Sequence, residues 1–261
     1  MKILFIGDVI GRPGRGALKA LLPALKEETG AEVVIANGEN SAGGIGILPE
    51  KAEELHRCGV DLLTTGNHVW KKKEIVEYLS RSDSIVRPAN YPQGAPGRGS
   101  LVFKMSGGRS IGIMNLQGRV FMPEQLDCPF RAADRELEAL HKEVRVIIVD
   151  FHAEATSEKR ALGYYLDGKV TAVLGTHTHV QTADEEIFSG GTGFITDVGM
   201  AGPTDSIIGM RKEQILQKFR TQLPAAFQVA SENVVLDAVV IDADERTGRC
   251  RSIERIRRRL K

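Results

Sequence analysis

The chain has 261 residues, 42% of them hydrophobic and 26% charged, with a formal net charge of +1. This length can bury a large core, and no linker divides the sequence, so we expect a single domain over residues 1–261. No stretch approaches the roughly 18 consecutive apolar residues of a membrane span, and Asp8 breaks the first apolar run far short of a signal peptide, so we expect a cytoplasmic protein without a membrane partner. The near-neutral charge gives no general attraction to nucleic acid.

The first third of the chain alternates apolar runs with amphipathic helical stretches. Strands are predicted at residues 2–6, 32–36 and 60–65, and helices at about 14–29, 49–57 and 70–80. This rhythm indicates a largely parallel sheet with helices on its faces. Pro13 suits the first turn of the first helix, and Gly30 suits its C-terminal cap.

Later segments mix loops, a hairpin and further strands. Prolines and glycines predict a loop at 87–100. Two short strands joined at Gly107-Gly108 predict a hairpin. The remaining segments are strands at 101–105 and 109–115, an irregular stretch at 117–129, a helix at about 130–143, a strand ending near Asp150, and antiparallel strands at 226–230, 234–242 and 252–256.

The C-terminal end is strongly basic. Residues 246–261 carry seven arginines and one lysine, which could contact RNA phosphates. No aromatic residue is interleaved to stack on bases, so a solvated tail is the favoured interpretation. Cys58, Cys128 and Cys250 are widely separated and lack Cys-x-x-Cys spacing, so we expect neither a disulfide framework nor a thiolate zinc site.

Residues with metal-ligand chemistry follow five predicted strands. Ligand sites in open α/β sheets lie outside the carboxyl ends of the strands, so these side chains are expected to meet. The sequence therefore predicts a two-metal hydrolase site. Its candidate residues are Asp8, Glu39, Asn40, Asn67, His68, His152, His177 and His179.

Each type of side chain has a specific use in such a site. A carboxylate such as Glu39 can bridge two cations, and Asn67 offers a neutral oxygen. His177 and His179 would point the same way in an extended segment and could address two neighbouring ions.

Several residues also have structural interpretations. Asp8 could cap a helix, Glu39 could be a solvated turn residue, and His152 could be a buried structural histidine. Asp197 could support the site or only form a turn. His56 and His141 lie in charged helical stretches and are predicted at the surface.

The motifs together resemble the calcineurin-like metallophosphoesterase superfamily. That superfamily usually begins with Asp-x-His, whereas Ile10 stands two residues after Asp8 here, and Val69 follows His68 where an acid is usual. These features, with Gly38-Glu39-Asn40, resemble the YmdB branch of 2′,3′-cyclic-nucleotide 2′-phosphodiesterases. The resemblance extends over essentially the whole chain and includes the strings around Asn115–Arg119, Asp150–Lys159, Gly175–Asp184 and Thr196–Met200.

The resemblance implies a fold, a ligand set and a metal. The fold is α/β, a calcineurin-like metallophosphatase sandwich of two mixed sheets flanked by helices. Asp8, Glu39, Asn40 and His179 would hold one metal, and Glu39, Asn67, His152 and His177 the other. The two ions would be divalent or mixed-valence, with iron expected, manganese as the alternative, and zinc or magnesium ranked below them.

The implied reaction is in-line hydrolysis of a cyclic nucleotide, a small-molecule phosphodiester, at its 2′ ester bond to give a 3′-nucleotide. A hydroxide held by two ions about 3.5 to 4 Å apart would be the nucleophile. His68, outside the ligand set, would be the general acid. The alternatives are a phosphomonoesterase or 5′-nucleotidase with the same metals, and a regulatory protein that binds RNA or a nucleotide. A homo-oligomer is expected from base rates.

Overall fold

The computed structural model describes residues 1–260, which form strands and helices in alternation. The strands are β1 (Lys2–Ile6), β2 (Asp8–Val9), β3 (Val33–Asn37), β4 (Leu62–Thr64), β5 (Ser100–Lys104), β6 (Ser110–Gln117), β7 (Ile147–His152), β8 (Ala172–Thr176), β9 (Glu186–Ile187), β10 (Gly193–Ile195), β11 (Met200–Pro203), β12 (Val234–Ala243) and β13 (Cys250–Arg259). The helices are α1 (Gly11–Thr29), α2 (Pro49–Arg57), α3 (Ile75–Arg81), α4 (Pro129–Glu143), α5 (Thr156–Tyr165) and α6 (Lys212–Thr221).

Within residues 1–260 the strands form two mixed sheets, of seven and six strands. The larger sheet has the order β2-β11-β12-β1-β3-β4, with β13 paired to β12, and the smaller has the order β5-β6-β7-β8-β10-β9. β1, β3 and β4 are parallel, as are β6, β7, β8 and β10. The expected sandwich of two mixed sheets flanked by helices is confirmed.

The sheets stack face to face because alternate residues of each strand point to opposite sides. In β1, Ile3 and Phe5 face the smaller sheet and share a core with Ile148 of β7. Leu4 instead belongs to an outer core with Leu22 of α1. A corresponding core joins the smaller sheet to α4 and α5. No helix in residues 1–260 is long and apolar enough to cross a membrane.

Most predicted boundaries hold, and the differences have physical causes. Gly30 caps α1 in the left-handed conformation with φ 66°, as predicted. The third helix begins at Ile75 rather than near residue 70, because the chain after His68 first makes turns, with the Lys71 N–H donating to the His68 carbonyl. The strand predicted at 226–230 is wrong, apart from an isolated bridge between Val229 and Met210.

The basic C-terminal end is a strand rather than a solvated tail. β13 pairs antiparallel with β12 along its length, and its Ile253 is buried. Arg255 donates to a carboxylate oxygen of Glu185 at 2.9 Å, so part of the positive charge is neutralised within the fold. Lys261, the last residue of the predicted basic segment, lies outside the described residues.

Candidate metal centre

The carboxyl ends of strands from both sheets bring all the predicted site residues together. Asp8 is the first residue of β2, two positions after the end of β1. Glu39 and Asn40 follow β3, and Asn67 and His68 follow β4, and all these strands belong to the larger sheet. His152 is the last residue of β7, and His177 and His179 follow β8, both in the smaller sheet. The cluster therefore lies where the ends of the two stacked sheets meet.

Asp8, Asn40 and His179 form one side of the cluster. Asp8 is fully buried, and its Oδ1 lies 3.5 Å from Nε2 of His179. Nδ2 of Asn40 lies 3.3 Å from the same Asp8 oxygen and 3.4 Å from Nε2 of His179. These three side chains come from residues up to 171 positions apart, and only the fold unites them.

Glu39, Asn67, His152 and His177 form the other side. Oε1 of the fully buried Glu39 lies 3.1 Å from Nε2 of His152. That nitrogen is also 3.0 Å from Oδ1 of Asn67 and 3.0 Å from Nδ1 of His177. Ligand atoms of Glu39, His152 and His177 all lie within 4.8 Å of one another. Nδ2 of Asn40 lies 3.3 Å from Oε1 of Glu39, so Glu39 stands between the two sides.

When they are neutral, His152, His177 and His179 each direct an unprotonated ring nitrogen into the cluster. Nδ1 of His179 faces the Ile208 carbonyl at 2.9 Å, and Nε2 of His177 faces a Glu154 carboxylate oxygen at 3.1 Å. These oxygens only accept, so the hydrogen sits on the outer nitrogen and the inner one keeps its lone pair. Metal-binding histidines are oriented in this way by partners on their outer nitrogens.

A third outer contact orients His152. Its Nδ1 lies 2.9 Å from Oγ1 of Thr176, and that hydroxyl donates to Oδ1 of Asp150 at 2.7 Å. Thr176 Oγ1 therefore accepts from His152, which leaves Nε2 of the neutral ring for the cluster. Asp150 also accepts hydrogen bonds from Thr64 and Asn37. Burial raises the pKa of Asp150 to about 6.

The charges of the cluster are strongly interdependent. Burial opposes ionisation of Glu39, but the imidazoles of His152 and His68 outweigh it and hold the pKa of Glu39 well below its usual range. Burial likewise disfavours the imidazolium of His152, but Glu39 raises the pKa of His152 to about 9. Burial and the charge of His152 lower the pKa of His177 to about 3. Burial opposes ionisation of Asp8 too, and His179 lowers its pKa.

The donor set fits cations of the kind that the sequence predicts. Imidazole nitrogens, carboxylate oxygens and amide oxygens, without thiolate, suit iron, manganese or zinc. A metal ion with ligand bonds of about 2.1 Å places neighbouring octahedral ligands about 3.0 Å apart. The contacts of His152 Nε2 with Glu39, Asn67 and His177 span 3.0 to 3.1 Å.

The segment that carries His177 and His179 is not extended, so the predicted alternation is wrong. Both residues have positive φ, 99° and 64°, a region that costs a non-glycine residue about 1–2 kcal/mol. Asp197 holds the turn, because its Oδ2 accepts hydrogen bonds from both N–H and Oγ1 of Thr178. The two histidines consequently reach different sides of the cluster.

Lys159 is an important residue that the sequence analysis missed. Its ammonium is almost fully buried and lies 2.8 Å from Oδ2 of Asp197. Of the two interpretations of Asp197, the structure shows the supporting one. The signal was the position of Lys159 on α5, three residues before the buried Leu162, on the helix face that packs inward. Nothing in the sequence identified Asp197 as its partner.

Asp150, which supports His152 through Thr176, is a second residue that the sequence analysis missed. The signal for Asp150 was a charged residue in an apolar strand, two positions before His152 and on the same face.

Two histidines outside the cluster were predicted at the surface. His141 is exposed, as predicted. His56 is half-buried instead, with its ring nitrogens bonded to the Val60 carbonyl and to Ser84.

The cluster opens into a cavity of about 620 Å³. His68 lines it beside Glu39 and Asn40, and its Nδ1 lies 2.8 Å from Oδ1 of Asn40. The Asn40 oxygen accepts, so Nδ1 of His68 carries a hydrogen. No group of residues 1–260 hydrogen-bonds Nε2 of His68, which leaves that atom available to a ligand.

Comparisons with known proteins give consistent matches. Residues 4–256 match a family model described as YmdB-like protein. A Bacillus subtilis (strain 168) protein named 2′,3′-cyclic-nucleotide 2′-phosphodiesterase is 49% identical over 98% of this chain and 96% of its own. A crystal structure of a hypothetical protein from Thermus thermophilus has a TM-score of 0.94 and 42% identity, covering both chains completely. A crystal structure of a novel phosphatase from Mycoplasma pneumoniae has a TM-score of 0.93 and 37% identity, covering 99% of this chain and 93% of that one.

Asp197→Ala should strongly destabilise the fold. The substitution leaves the Lys159 ammonium buried without its carboxylate, so we expect the free energy of unfolding to fall by about 3–5 kcal/mol. The double variant Lys159→Met/Asp197→Asn removes both charges and should recover most of that loss. Urea denaturation followed by circular dichroism measures all three proteins. A double variant as unstable as Asp197→Ala would contradict the assignment.

Metal affinity should rise with pH around neutrality. With its pKa raised to about 9, His152 is protonated at pH 7 in the metal-free chain, and an ion that takes its Nε2 must displace that proton. The apparent affinity for Mn²⁺ should therefore increase about tenfold per pH unit from pH 7 to 8.5. Anaerobic titration of metal-free protein against a chromophoric chelator measures this. Constant affinity across that range would show that no such proton is displaced.

Proposed function

The chain belongs to the YmdB-like protein family, and we propose that it hydrolyses the 2′ ester bond of 2′,3′-cyclic nucleotides with two metal ions. That it is a hydrolase of phosphate esters follows from its relatives, which are named as a phosphodiesterase and a phosphatase. What we propose beyond this is that the 2′ ester bond is the one broken, that two metal ions take part, and that a histidine protonates the departing oxygen. The main support for this proposal is the convergence of imidazole nitrogens of His152, His177 and His179 with the buried carboxylates of Asp8 and Glu39 at the wall of an open cavity.

The cavity also has an apolar part that suits an organic ester group. Besides the ligand cluster it is lined by apolar side chains. These are Ile45, Ile208, Met210, Ile215 and Phe227. Phe227 is 40% exposed and presents an aromatic surface, which can pack against a nucleobase. A substrate with both a phosphate and an apolar aromatic part would therefore find partners for both in this cavity.

The charge of the cavity favours a diester over a monoester. Among the residues that the structure describes, no lysine or arginine lines it, and Glu154 adds negative charge. A phosphodiester carries one negative charge, whereas a monoester carries about −1.5 to −2 at pH 7. The monoester would need further positive charge that this lining does not supply.

The metal ions would be held by the two sides of the cluster. We assign Asp8, Glu39, Asn40 and His179 to one ion, and Glu39, Asn67, His152 and His177 to the other. Asn40 would bind through Oδ1, the atom that also accepts from His68, because its amide nitrogen only donates. When bound, such a pair supplies Lewis acidity toward the phosphate and makes hydroxide available near neutral pH. Iron is the proposed metal and manganese the alternative. Elemental analysis of protein purified without added metal should find about two ions per chain.

His68 is placed to supply the proton for the departing 2′-oxygen. Hydrolysis forms a bond from phosphorus to the water oxygen and breaks the bond from phosphorus to the 2′-oxygen. His68 would act as the imidazolium: Nδ1–H stays bonded to Asn40, and the proton on Nε2 passes to the 2′-oxygen, which gives a 2′-hydroxyl, a 3′-phosphate and a neutral ring. Asn40 fixes the ring through Nδ1, which directs Nε2 at the cavity.

Product analysis is the direct test of this function. Incubation with 2′,3′-cyclic AMP should yield 3′-AMP and no 2′-AMP, resolved by chromatography. Bis-para-nitrophenyl phosphate should be hydrolysed faster than para-nitrophenyl phosphate. Activity on the monoester alone would favour a phosphomonoesterase, and tight nucleotide binding without turnover under any metal would favour a regulatory protein. Either result would reject the proposal.

His68→Ala should reduce kcat by roughly 10²- to 10⁴-fold while leaving the metal content unchanged. The reason is that His68 would donate a proton without holding a metal. His56→Ala is the control, because it removes an imidazole that does not line the cavity, and it should keep both kcat and metal. Steady-state kinetics and elemental analysis of the three proteins measure the difference. Full activity of His68→Ala would exclude it as the acid.

A further inference from the structure

A second cavity lies at the edge of the smaller sheet opposite the candidate metal centre. It has a volume of about 570 Å³. Arg145 and Lys169 reach it from positions just before β7 and β8, at the amino ends of these strands. Arg246 and Arg249 come from the hairpin between β12 and β13. We call this cavity the basic pocket.

The positive charge of the basic pocket is largely uncompensated. In residues 1–260, neither aspartate nor glutamate lines it, and Arg145, Arg246 and Arg249 have no carboxylate oxygen within 4.0 Å. Nζ of Lys169 lies 4.0 Å from a carboxylate oxygen of Asp134 and 4.1 Å from the centre of the Tyr165 ring. Other arginines of the same C-terminal segment are paired with acids. These pairs are Arg251 with Asp244, Arg255 with Glu185, Arg257 with Asp237 and Arg258 with Glu28.

Close backbone contacts hold the segments that carry the cationic side chains near one another. Gly248 is buried with φ 76°, and a Cβ there would lie 2.3 Å from the Arg145 carbonyl oxygen, so the hairpin sits directly on Arg145. The carbonyl of Gly248 accepts a hydrogen bond from Oγ1 of Thr171 at 2.7 Å. The aliphatic part of Arg249 crosses Gly191, with Cγ and Cδ 3.0 Å from the position of a Cβ. The segments that carry Arg145, Arg246 and Arg249 are therefore held around one concave space.

We propose that the basic pocket binds adjacent phosphate groups of a ligand other than the substrate. Arginine recognises phosphate through paired N–H donors, and four cations match an anion with several charges. No phenylalanine, tyrosine or tryptophan of the described residues lines the pocket, so recognition would be of phosphates rather than bases. The phosphates could belong to a single strand of nucleic acid or to a nucleoside diphosphate, which share this chemistry.

Fluorescence polarisation with a labelled oligodeoxythymidylate tests the strand. Arg145→Ser/Arg249→Ser should weaken binding at least tenfold, and the slope of log affinity against log salt should fall by about 1.4, or about 0.7 for each lost contact. Arg255→Ser is the matched control, because that arginine lies on the same segment but is paired with Glu185. It should bind as the unmodified protein does. Any binding of the oligonucleotide at the metal centre is the same in the unmodified protein, the double variant and the control, so it does not affect the comparison.

Isothermal titration with ADP tests the small ligand on the same proteins. If the double variant loses ADP binding, the pocket takes nucleoside diphosphates. If it loses affinity for the oligonucleotide, the pocket takes a nucleic-acid strand, and loss of both means that it takes either. The substituted side chains are exposed, and circular dichroism checks the fold, with Arg246→Ser as a second variant. If the double variant and Arg246→Ser bind both probes as the unmodified protein does, the proposal is overturned.

Discussion

The compensation of buried negative charge determines the arrangement of the site. Asp8, Glu39, Asp150 and Asp197 are all fully buried where the ends of the two sheets meet. Burying a carboxylate costs several kcal/mol unless it is paired or hydrogen-bonded. Asp197 is paired with Lys159, and Asp150 is surrounded by hydroxyl and amide donors. Asp8 and Glu39 instead face imidazoles, and they are the carboxylates that we assign to cations.

Glycine allows these groups to come so close. A Cβ on Gly66 would lie 2.3 Å from Cδ2 of His152 and 2.5 Å from Oε2 of Glu39. A Cβ on Gly175 would lie 1.7 Å from the carbonyl oxygen of Thr196. The glycine before each of these two ligand motifs therefore has a steric cause, since any side chain there would push neighbouring strand ends apart.

The sequence predicted the features that depend on local pattern. The strand and helix periods were correct for most of the fold, and the eight candidate residues do meet at the strand ends, although their metal binding stays a prediction. Pairings between distant residues were not visible, such as Lys159 with Asp197 or Thr64 with Asp150, because no local pattern encodes them. Residues 226–230 alternate like a strand, but Val229 packs against the glycines of the site loops instead.

The pairing of β1 with β12 has a consequence for how the protein is made. Lys2 to Ile6 are bonded on one side to β3 and on the other to Ala238–Asp242, near the opposite end of the chain. β1 therefore lacks one neighbour until residues 238–242 have been translated. Contacts so remote in sequence form slowly. Until then the nascent polypeptide carries an unpaired strand edge at residues 2–6, although β3 is already available on the other side.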